Sequence, residues 1–210
     1  MGRSDPYVFN FYRAILPDKV FDKVALLGNQ QDSEFTSSIA CKEKDFYDLQ
    51  LKNWNINNDN WKIDKKYDLV ISTRCPYFSK DPKKFIDNCL EILNPGGTLF
   101  LDWGMGDHWR FENFKIGWVK DGEHEFAYKD DNFLWSTIWH NSFLEHPEFI
   151  KFQNNIEKLG YNRHNIKNDI IKEVPSILDL EEIKNLNPYV HLFSLWEDKP
   201  QIYIALIIKK

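Results

Sequence analysis

The chain has 210 residues and a net charge of -5, and 42% of its residues are hydrophobic. This length and this hydrophobic content are sufficient for one domain with a core, and they exclude an intrinsically disordered chain. Its 27 basic and 32 acidic residues are interspersed along the sequence. Because they form no basic stripe, the charge pattern disfavours a nucleic acid as substrate.

Cysteine usage and the lengths of the apolar runs indicate the compartment. Cys41, Cys75 and Cys89 are odd in number and form no CxxC pair, so we expect reduced thiols in a cytoplasmic protein. No stretch reaches the roughly 18 apolar residues of a membrane span, and no signal-peptide pattern follows Met1, so no membrane association is expected.

The sequence has no HExxH motif and no Cys/His cluster, so no metal is expected either.

Two short apolar runs predict strands that are buried on both faces. The first, residues 24–28, ends in Gly28, which is typical of a tight turn after a strand. The second, Tyr67–Ser72, is followed by Thr73, so the polar Ser72 and Thr73 are expected at the carboxyl edge of a sheet. Residues 52–66 contain five asparagines and few apolar side chains, and they predict a loop.

A helix with recognisable ends follows the second strand. Asp81 is expected as its N-cap and Pro82 as its first residue, and residues 94–97, Asn-Pro-Gly-Gly, end it. Residues 98–102 then predict another buried strand. Strand, helix and strand in this order predict a right-handed βαβ unit in a parallel sheet.

The last third of the chain predicts one more helix and a hairpin. The helix begins at Pro147 and meets Gly160 at its C-terminal end. Its predicted inward residues are Phe149, Ile150, Phe152, Ile156 and Leu159. Residues 190–196 and 202–208 predict two strands whose short connection makes them an antiparallel pair.

Five of these features together resemble the class I S-adenosylmethionine-dependent methyltransferases. They are the strand at Tyr67, the helix from Asp81, the turn at residues 94–97, the strand at residues 98–102 and the terminal hairpin. The resemblance covers roughly residues 20–103 and 147–210. It implies one α/β domain over residues 1–210, with a Rossmann-like three-layer sheet that is mostly parallel and ends in a C-terminal antiparallel hairpin. It implies S-adenosylmethionine as the cofactor and a small molecule as the methyl acceptor.

The first half departs from the family pattern in two ways. Of the glycines that usually follow the first strand only Gly28 is present, and Asn29 and Gln30 stand where others are usual. Amides hydrogen-bond carboxylates and amines, so the resemblance still implies cofactor binding by these three residues. It also predicts that Gly28→Trp removes binding and leaves the fold intact. Only 38 residues, 29–66, separate the two strands where the full fold needs about 67, so one strand-helix unit or its equivalent is expected to be absent or shortened.

Further cofactor contacts follow from the resemblance. Asp48, in a strand predicted over residues 46–51, corresponds to the acidic residue that holds the ribose hydroxyls; an exposed strand carboxylate is the alternative. Asn53 and Trp54 correspond to residues that frame the adenine, with loop-surface packing of Trp54 as the alternative. Ser72 and Thr73 are expected near the cofactor.

Residues 104–146 have no counterpart in the minimal fold and follow the carboxyl end of a central strand, where open α/β sheets bind ligands. This aromatic-rich insertion is predicted as a cap over the acceptor, or alternatively as a subdomain whose tryptophans form its own core. Asp102, His108 and His140 are the candidate bases for proton removal, with a structural role for each histidine as the alternative.

The sequence thus predicts S-adenosylmethionine-dependent methyl transfer to a small molecule. A catalytically inactive methyltransferase-like protein that binds or scaffolds a partner is the alternative, favoured by the depleted glycine turn and the shortened first half. The sequence does not indicate an oligomeric state.

Overall fold

The computed structural model describes residues 5–29, 31, 33–52, 54–106, 135–158, 174–195 and 201–210. Eight strands are present in these ranges: β1 Phe21–Leu27, β2 Cys41–Tyr47, β3 Tyr67–Ser72, β4 Leu93–Gly106, β5 Ser136–Trp139, β6 Ser176–Asp179, β7 Tyr189–Leu195 and β8 Gln201–Lys209. The α-helices there are α1 Asp5–Ile15, α2 Glu34–Ser38, α3 Pro82–Glu91 and α4 Pro147–Lys158. In the same ranges, 3-10 helices cover Pro76–Phe78, Asn141–Glu145 and Leu180–Leu186.

Six strands form the main sheet in the order β2-β1-β3-β4-β8-β7. The first four are parallel, β8 pairs antiparallel with β4, and β7 pairs antiparallel with β8. This order confirms the predicted fold class, a mostly parallel Rossmann-like sheet ending in an antiparallel hairpin. A second sheet contains only the parallel strands β5 and β6.

Helices cover both faces of the main sheet and produce three layers. Side chains of α1 and α2 pack on one face, and those of α3 and α4 pack on the other. The alternation along the central strands explains this division, because Leu26 and Phe100 join the first cluster whereas Leu27 and Leu101 join the second. Continuous apolar strands are therefore required at the centre of this sheet.

The shortened first half ends the sheet at β2. The described residues between β1 and β3 contain only β2 and the five-residue α2, and those of 52–66 form neither helix nor strand. The predicted absence of a strand-helix unit is thus confirmed. β2 itself was predicted over residues 46–51 and lies instead over Cys41–Tyr47. Of the described strands only β1 pairs with β2, and the charged residues of this edge strand give it no buried-strand pattern.

The predicted βαβ unit is confirmed as β3-α3-β4. The Asp81 carboxylate caps α3 by accepting a hydrogen bond from the backbone N–H of Lys84 at 2.9 Å. β4, however, extends to Gly106 rather than ending at Asp102, because β8 pairs with it along residues 98–106. β3 ends at Ser72, which pairs with Leu101 of β4, so Asp102 lies one residue beyond the end of β3.

The orientation of α4 differs in part from the prediction. Phe149 and Phe152 are fully buried, whereas Ile150 is 42% exposed. Successive helical residues are about 100° apart, so the face that buries Phe149 and Phe152 directs Ile150 toward solvent. The predicted inward residue Leu159 and the predicted end at Gly160 lie outside the described residues.

An ion-pair network covers the exposed edge of the sheet beside β2. Asp45 accepts hydrogen bonds from Lys52 at 2.8 Å, from Lys65 at 2.9 Å and from the Tyr67 hydroxyl at 3.0 Å. Burial by itself would raise the pKa of Asp45, but these three donors outweigh it and lower the pKa to about 2. The carboxylate is therefore more stable in the folded than in the unfolded chain.

We expect Asp45→Asn to lower the free energy of unfolding at pH 7 by about 1 kcal/mol, the scale of a solvent-screened ion-pair network. Because the folded pKa lies below the ordinary value, the contribution of Asp45 is complete above about pH 4 and is lost as the pH falls toward 2. Denaturant unfolding at pH 7, 4 and 3 should show a shallower acid dependence in the variant. The exposed Asp64 provides the control, and equal slopes for wild type and Asp45→Asn would contradict the prediction.

Within the described residues, no helix combines the length and apolar character needed to cross a membrane.

Candidate functional site

Three consecutive residues at the end of β3 each contact a different element. The Ser72 hydroxyl donates to the Leu27 carbonyl oxygen of β1 at 2.9 Å. The Thr73 hydroxyl oxygen accepts from the Asn29 side-chain amide at 2.6 Å. The backbone N–H of Arg74 donates to the Asp102 carboxylate of β4 at 2.5 Å. The carboxyl ends of β1, β3 and β4, where open α/β sheets bind ligands, are therefore connected by side chains.

Gly28 lies at the carboxyl end of β1, where the sequence placed it, with a φ of 66°. An ideal Cβ at this position would lie 2.3 Å from Sγ and 2.8 Å from Cβ of Cys75. Glycine is therefore required here by two constraints, the left-handed backbone and the Cys75 side chain. Burial raises the pKa of the Cys75 thiol to about 12, partly offset by a hydrogen bond with Ser72, so the thiol is unreactive at neutral pH.

Asn29 follows this glycine and is 8% exposed. Its amide nitrogen donates to Thr73, but its Oδ1 atom has no hydrogen-bond partner among the described residues. Buried polar atoms are nearly always paired in native proteins, so an unpaired acceptor at a ligand-binding edge is informative. It indicates a place for a donor group from a bound molecule.

Asp48 is the first residue after β2 and is half-buried. Its Oδ1 atom accepts from the Gln50 backbone N–H at 2.8 Å, and Oδ2 accepts nothing from the part of the chain that the structure describes. The prediction put Asp48 inside a strand, whereas β2 lies nearer the N-terminus and ends at Tyr47, so Asp48 lies at the carboxyl edge of the sheet. This is the edge at which Gly28 and Asn29 also lie.

Trp54 is buried beside Gly28, and its ring lies 3.9 Å from where a Cβ of residue 28 would be. It packs edge-to-face with Trp61 at a centroid distance of 5.1 Å. The alternative of packing on a loop surface is therefore wrong, since Trp54 belongs to the core. Its indole N–H is buried and finds no acceptor among the described residues.

Asp102 is fully buried in a hydrogen-bonded cluster with Tyr12, Arg74 and Tyr203, which sequence analysis did not identify as a group. Its Oδ2 atom accepts a hydrogen bond from the Tyr12 hydroxyl, and its Oδ1 atom accepts from Arg74. The Arg74 guanidinium in turn donates to the Tyr203 hydroxyl at 3.2 Å. The helical spacing of Val8, Tyr12 and Ile15 could have revealed α1, but nothing in the sequence pairs Tyr12 with a residue 90 positions away.

His140 lies apart from this cluster. It precedes the 3-10 helix Asn141–Glu145, and its ring contacts Ser142 at 2.6 Å and Glu181 at 3.3 Å. Within the described residues, none of its hydrogen bonds reaches Asp102 or Asn29. The structure thus brings Gly28, Asn29, Ser72 and Thr73 together and leaves His140 at the second sheet.

Several predicted residues lie outside the described ranges, namely Gln30, Asn53 and His108. Of the predicted insertion 104–146, residues 104–106 belong to β4, residues 107–134 are outside the described ranges, and the rest forms β5 and the 3-10 helix after it. Trp103 and Trp139 are buried, and both belong to the cluster that contains the inward side chains of α3 and α4. Among the described residues, no group of three or more His, Cys, Asp or Glu side chains could hold a metal ion.

No protein-family model and no curated protein matches the sequence. Among solved structures, the chain is similar to N-methyltransferase NodS from Bradyrhizobium japonicum WM9 in complex with S-adenosyl-L-homocysteine, with 11% identity and a TM-score of 0.47 over 99% of this chain and 88% of that one. It is also similar to a S-adenosylmethionine-dependent methyltransferase from Clostridium acetobutylicum ATCC 824, with 12% identity and a TM-score of 0.48 over 100% of this chain and 93% of that one. At these values the likeness assigns no activity, which depends on the residues of the site.

Proposed function

We propose that the chain is an S-adenosylmethionine-dependent methyltransferase that acts on a small-molecule acceptor. The observation that carries this proposal is the Oδ1 atom of Asn29, which is buried at the carboxyl end of β1 and has no hydrogen-bond partner among the described residues. Leaving such an acceptor unpaired costs about 1–3 kcal/mol, which a donor from a ligand recovers. The ammonium group of the cofactor's methionyl part is a donor of this kind, and it binds an amide oxygen by a charge-assisted hydrogen bond.

Other residues at the same edge fit the rest of the cofactor. The Oδ2 atom of Asp48 is suited to accept from the ribose hydroxyls, because it receives no hydrogen bond from the described residues. The buried Trp54 offers an apolar ring and an N–H donor for the adenine side. Thr73 orients the Asn29 amide by accepting from its nitrogen. Gln30, Asn53 and Ser72 stay predicted contacts, although the Ser72 hydroxyl already donates to Leu27.

When bound, the cofactor supplies an electrophilic methyl group on a sulfonium. The protein must orient the acceptor, exclude water and remove a proton if the nucleophile is a hydroxyl or an amine. Both Asp102 oxygens already accept hydrogen bonds, and His140 caps a 3-10 helix at the second sheet. Of the three predicted bases we therefore place first His108, two residues beyond the end of β4 in the sequence. The role of the insertion 104–146 as a cap over the acceptor stays a prediction.

Calorimetric titration of the full chain with S-adenosylmethionine and S-adenosylhomocysteine tests this function without knowledge of the acceptor. We expect saturable binding of both ligands by the wild type. Asn29→Leu should weaken binding by at least about 10-fold, because it removes a charge-assisted hydrogen bond. Asn29→Asp should retain binding, because its carboxylate accepts from the ligand and from the Thr73 hydroxyl.

Asn154→Leu is the matched control, since Asn154 is exposed on α4 away from this edge. Equal affinities of wild type and Asn29→Leu would refute the role of Asn29. No saturable binding to the wild type, checked by the lack of a melting shift at high ligand concentration, would overturn the proposed function. That outcome would favour the non-catalytic binding or scaffolding alternative.

A further inference from the structure

A hydrogen-bonded chain connects helix α1 to the end of β3. The Tyr12 hydroxyl of α1 donates to Oδ2 of Asp102, and Oδ1 of the same carboxylate accepts the backbone N–H of Arg74 at 2.5 Å. Tyr12 and Asp102 are both 0% exposed. Hydrogen bonds to a buried charge are stronger than those between neutral groups, so this connection is rigid.

Stacked aromatic rings form a second connection between the same two elements. Phe11 of α1 stacks on Phe193 at a centroid distance of 4.0 Å, and Phe193 stacks on Tyr203 at 5.1 Å. The guanidinium of Arg74 lies over the Tyr203 ring at 5.8 Å and donates to its hydroxyl. Both connections from α1 thus end at Arg74, one on its backbone and one on its side chain.

Arg74 has a φ of 57°, a left-handed conformation that costs a residue with a side chain about 1–2 kcal/mol. Such a conformation persists where surrounding contacts hold it. Its chain neighbours make the contacts at the end of β1, because Thr73 orients Asn29 and Cys75 packs against Gly28. Relaxation of Arg74 would therefore displace both contacts.

We propose that Tyr12 is a positioning residue of the cofactor site, which through Asp102 holds Arg74 in its left-handed conformation and thereby places Thr73 and Asn29. The inference rests on the proposed function, in which Asn29 contacts the cofactor. Tyr12 itself needs no contact with the ligand. Burial and the negative charge of Asp102 raise the pKa of Tyr12, so its hydroxyl keeps its proton and remains a donor at neutral pH.

Two measurements on the full chain test this coupling. The first is the affinity for S-adenosylhomocysteine by calorimetry. The second is the rate of alkylation of each cysteine in the ligand-free protein, followed by mass spectrometry after iodoacetamide treatment. Cys75 is next to Arg74, whereas Cys89 is buried on α3 and reports global opening.

Tyr12→Phe keeps the ring and removes the hydroxyl, and the exposed Tyr189 gives the matched control Tyr189→Phe. Asp102→Asn is the conservative variant, because its Oδ1 accepts from Arg74 while its amide donates to the Tyr12 oxygen. We expect Tyr12→Phe to weaken ligand binding and to accelerate Cys75 alkylation by about 10-fold each, with an unchanged Cys89 rate. Tyr189→Phe should resemble the wild type, and Asp102→Asn, which keeps a contact with each partner but loses the charge, should show smaller changes than Tyr12→Phe.

A Cys75 rate that does not change in Tyr12→Phe, or that rises only together with the Cys89 rate, would overturn the coupling. If the wild type binds S-adenosylhomocysteine and Tyr12→Phe binds it with the same affinity, the coupling is also overturned. If the wild type binds no ligand, the proposed function fails, and the alkylation rates still decide whether Tyr12 holds the end of β3.

Discussion

Gly28→Ala should lower the free energy of unfolding by about 3 kcal/mol, as the sum of overpacking and of a left-handed backbone in a residue with a side chain. The structure gives both reasons, because the new Cβ would lie 2.3 Å from Sγ of Cys75 and the φ is 66°. Urea unfolding of the variant and the wild type measures the difference. The expectation that Gly28→Trp leaves the fold intact is thereby corrected, since even a methyl group collides with a buried side chain.

Gly96→Ala separates the two causes of this loss. Gly96 has a φ of 78°, but no atom lies within 4 Å of where its Cβ would be. The loss there should be limited to the backbone term, about 1 kcal/mol. Cys75→Ala removes the nearer of the two clashing atoms, so the double variant with Gly28→Ala should be more stable than additivity predicts by about 1 kcal/mol. Equal losses for the two glycines would contradict the steric explanation.

Phe152→Ala should lower the free energy of unfolding by about 4 kcal/mol, because it leaves a cavity beneath α4 that the core cannot fill. Phe152 is fully buried and belongs to the cluster on the face of the sheet that α3 and α4 cover. Ile150→Ala, two residues earlier in the same helix, should cost less than about 1 kcal/mol because Ile150 is 42% exposed.

Urea unfolding of both α4 variants, with a check that the m-value is unchanged, compares them directly. The pair also tests the corrected helix orientation, because the sequence pattern assigned both residues to the inward face. Similar losses for Phe152→Ala and Ile150→Ala would restore that assignment and contradict the structure.

The parts of the site that were predictable are those whose position follows from the local sequence. Ser72 and Thr73 were expected at a carboxyl edge because they end an apolar run, and the structure confirms that position. Arg74 was not among the predicted site residues, and its left-handed conformation has no sequence signal because it is held by Asp102 and Tyr203. The partner of each polar group depends on strand order, which no local pattern contains.

The misplacement of β2 has a related cause. Hydrophobic alternation marks strands that are buried on at least one face, whereas β2 is an edge strand with charged side chains between Cys41 and Phe46. β2 ends at Tyr47, so Asp48 is the first residue after the strand and not a residue within it. The predicted role of Asp48, to accept from the ribose hydroxyls, stays a prediction.

The sequence by itself determined the buried central strands, the caps of α3, the terminal hairpin and the absence of one strand-helix unit. These features follow from chain length, from the burial of apolar runs and from backbone sterics. Each of these can be judged from a short segment of the sequence or from the number of residues between two segments. Only the tertiary structure decided that Cys75 requires a glycine at position 28, that the Asn29 oxygen finds no partner in the described ranges, and that Tyr12 contacts Asp102. Those contacts join residues far apart in sequence, and they arise only once the order and register of the strands are set.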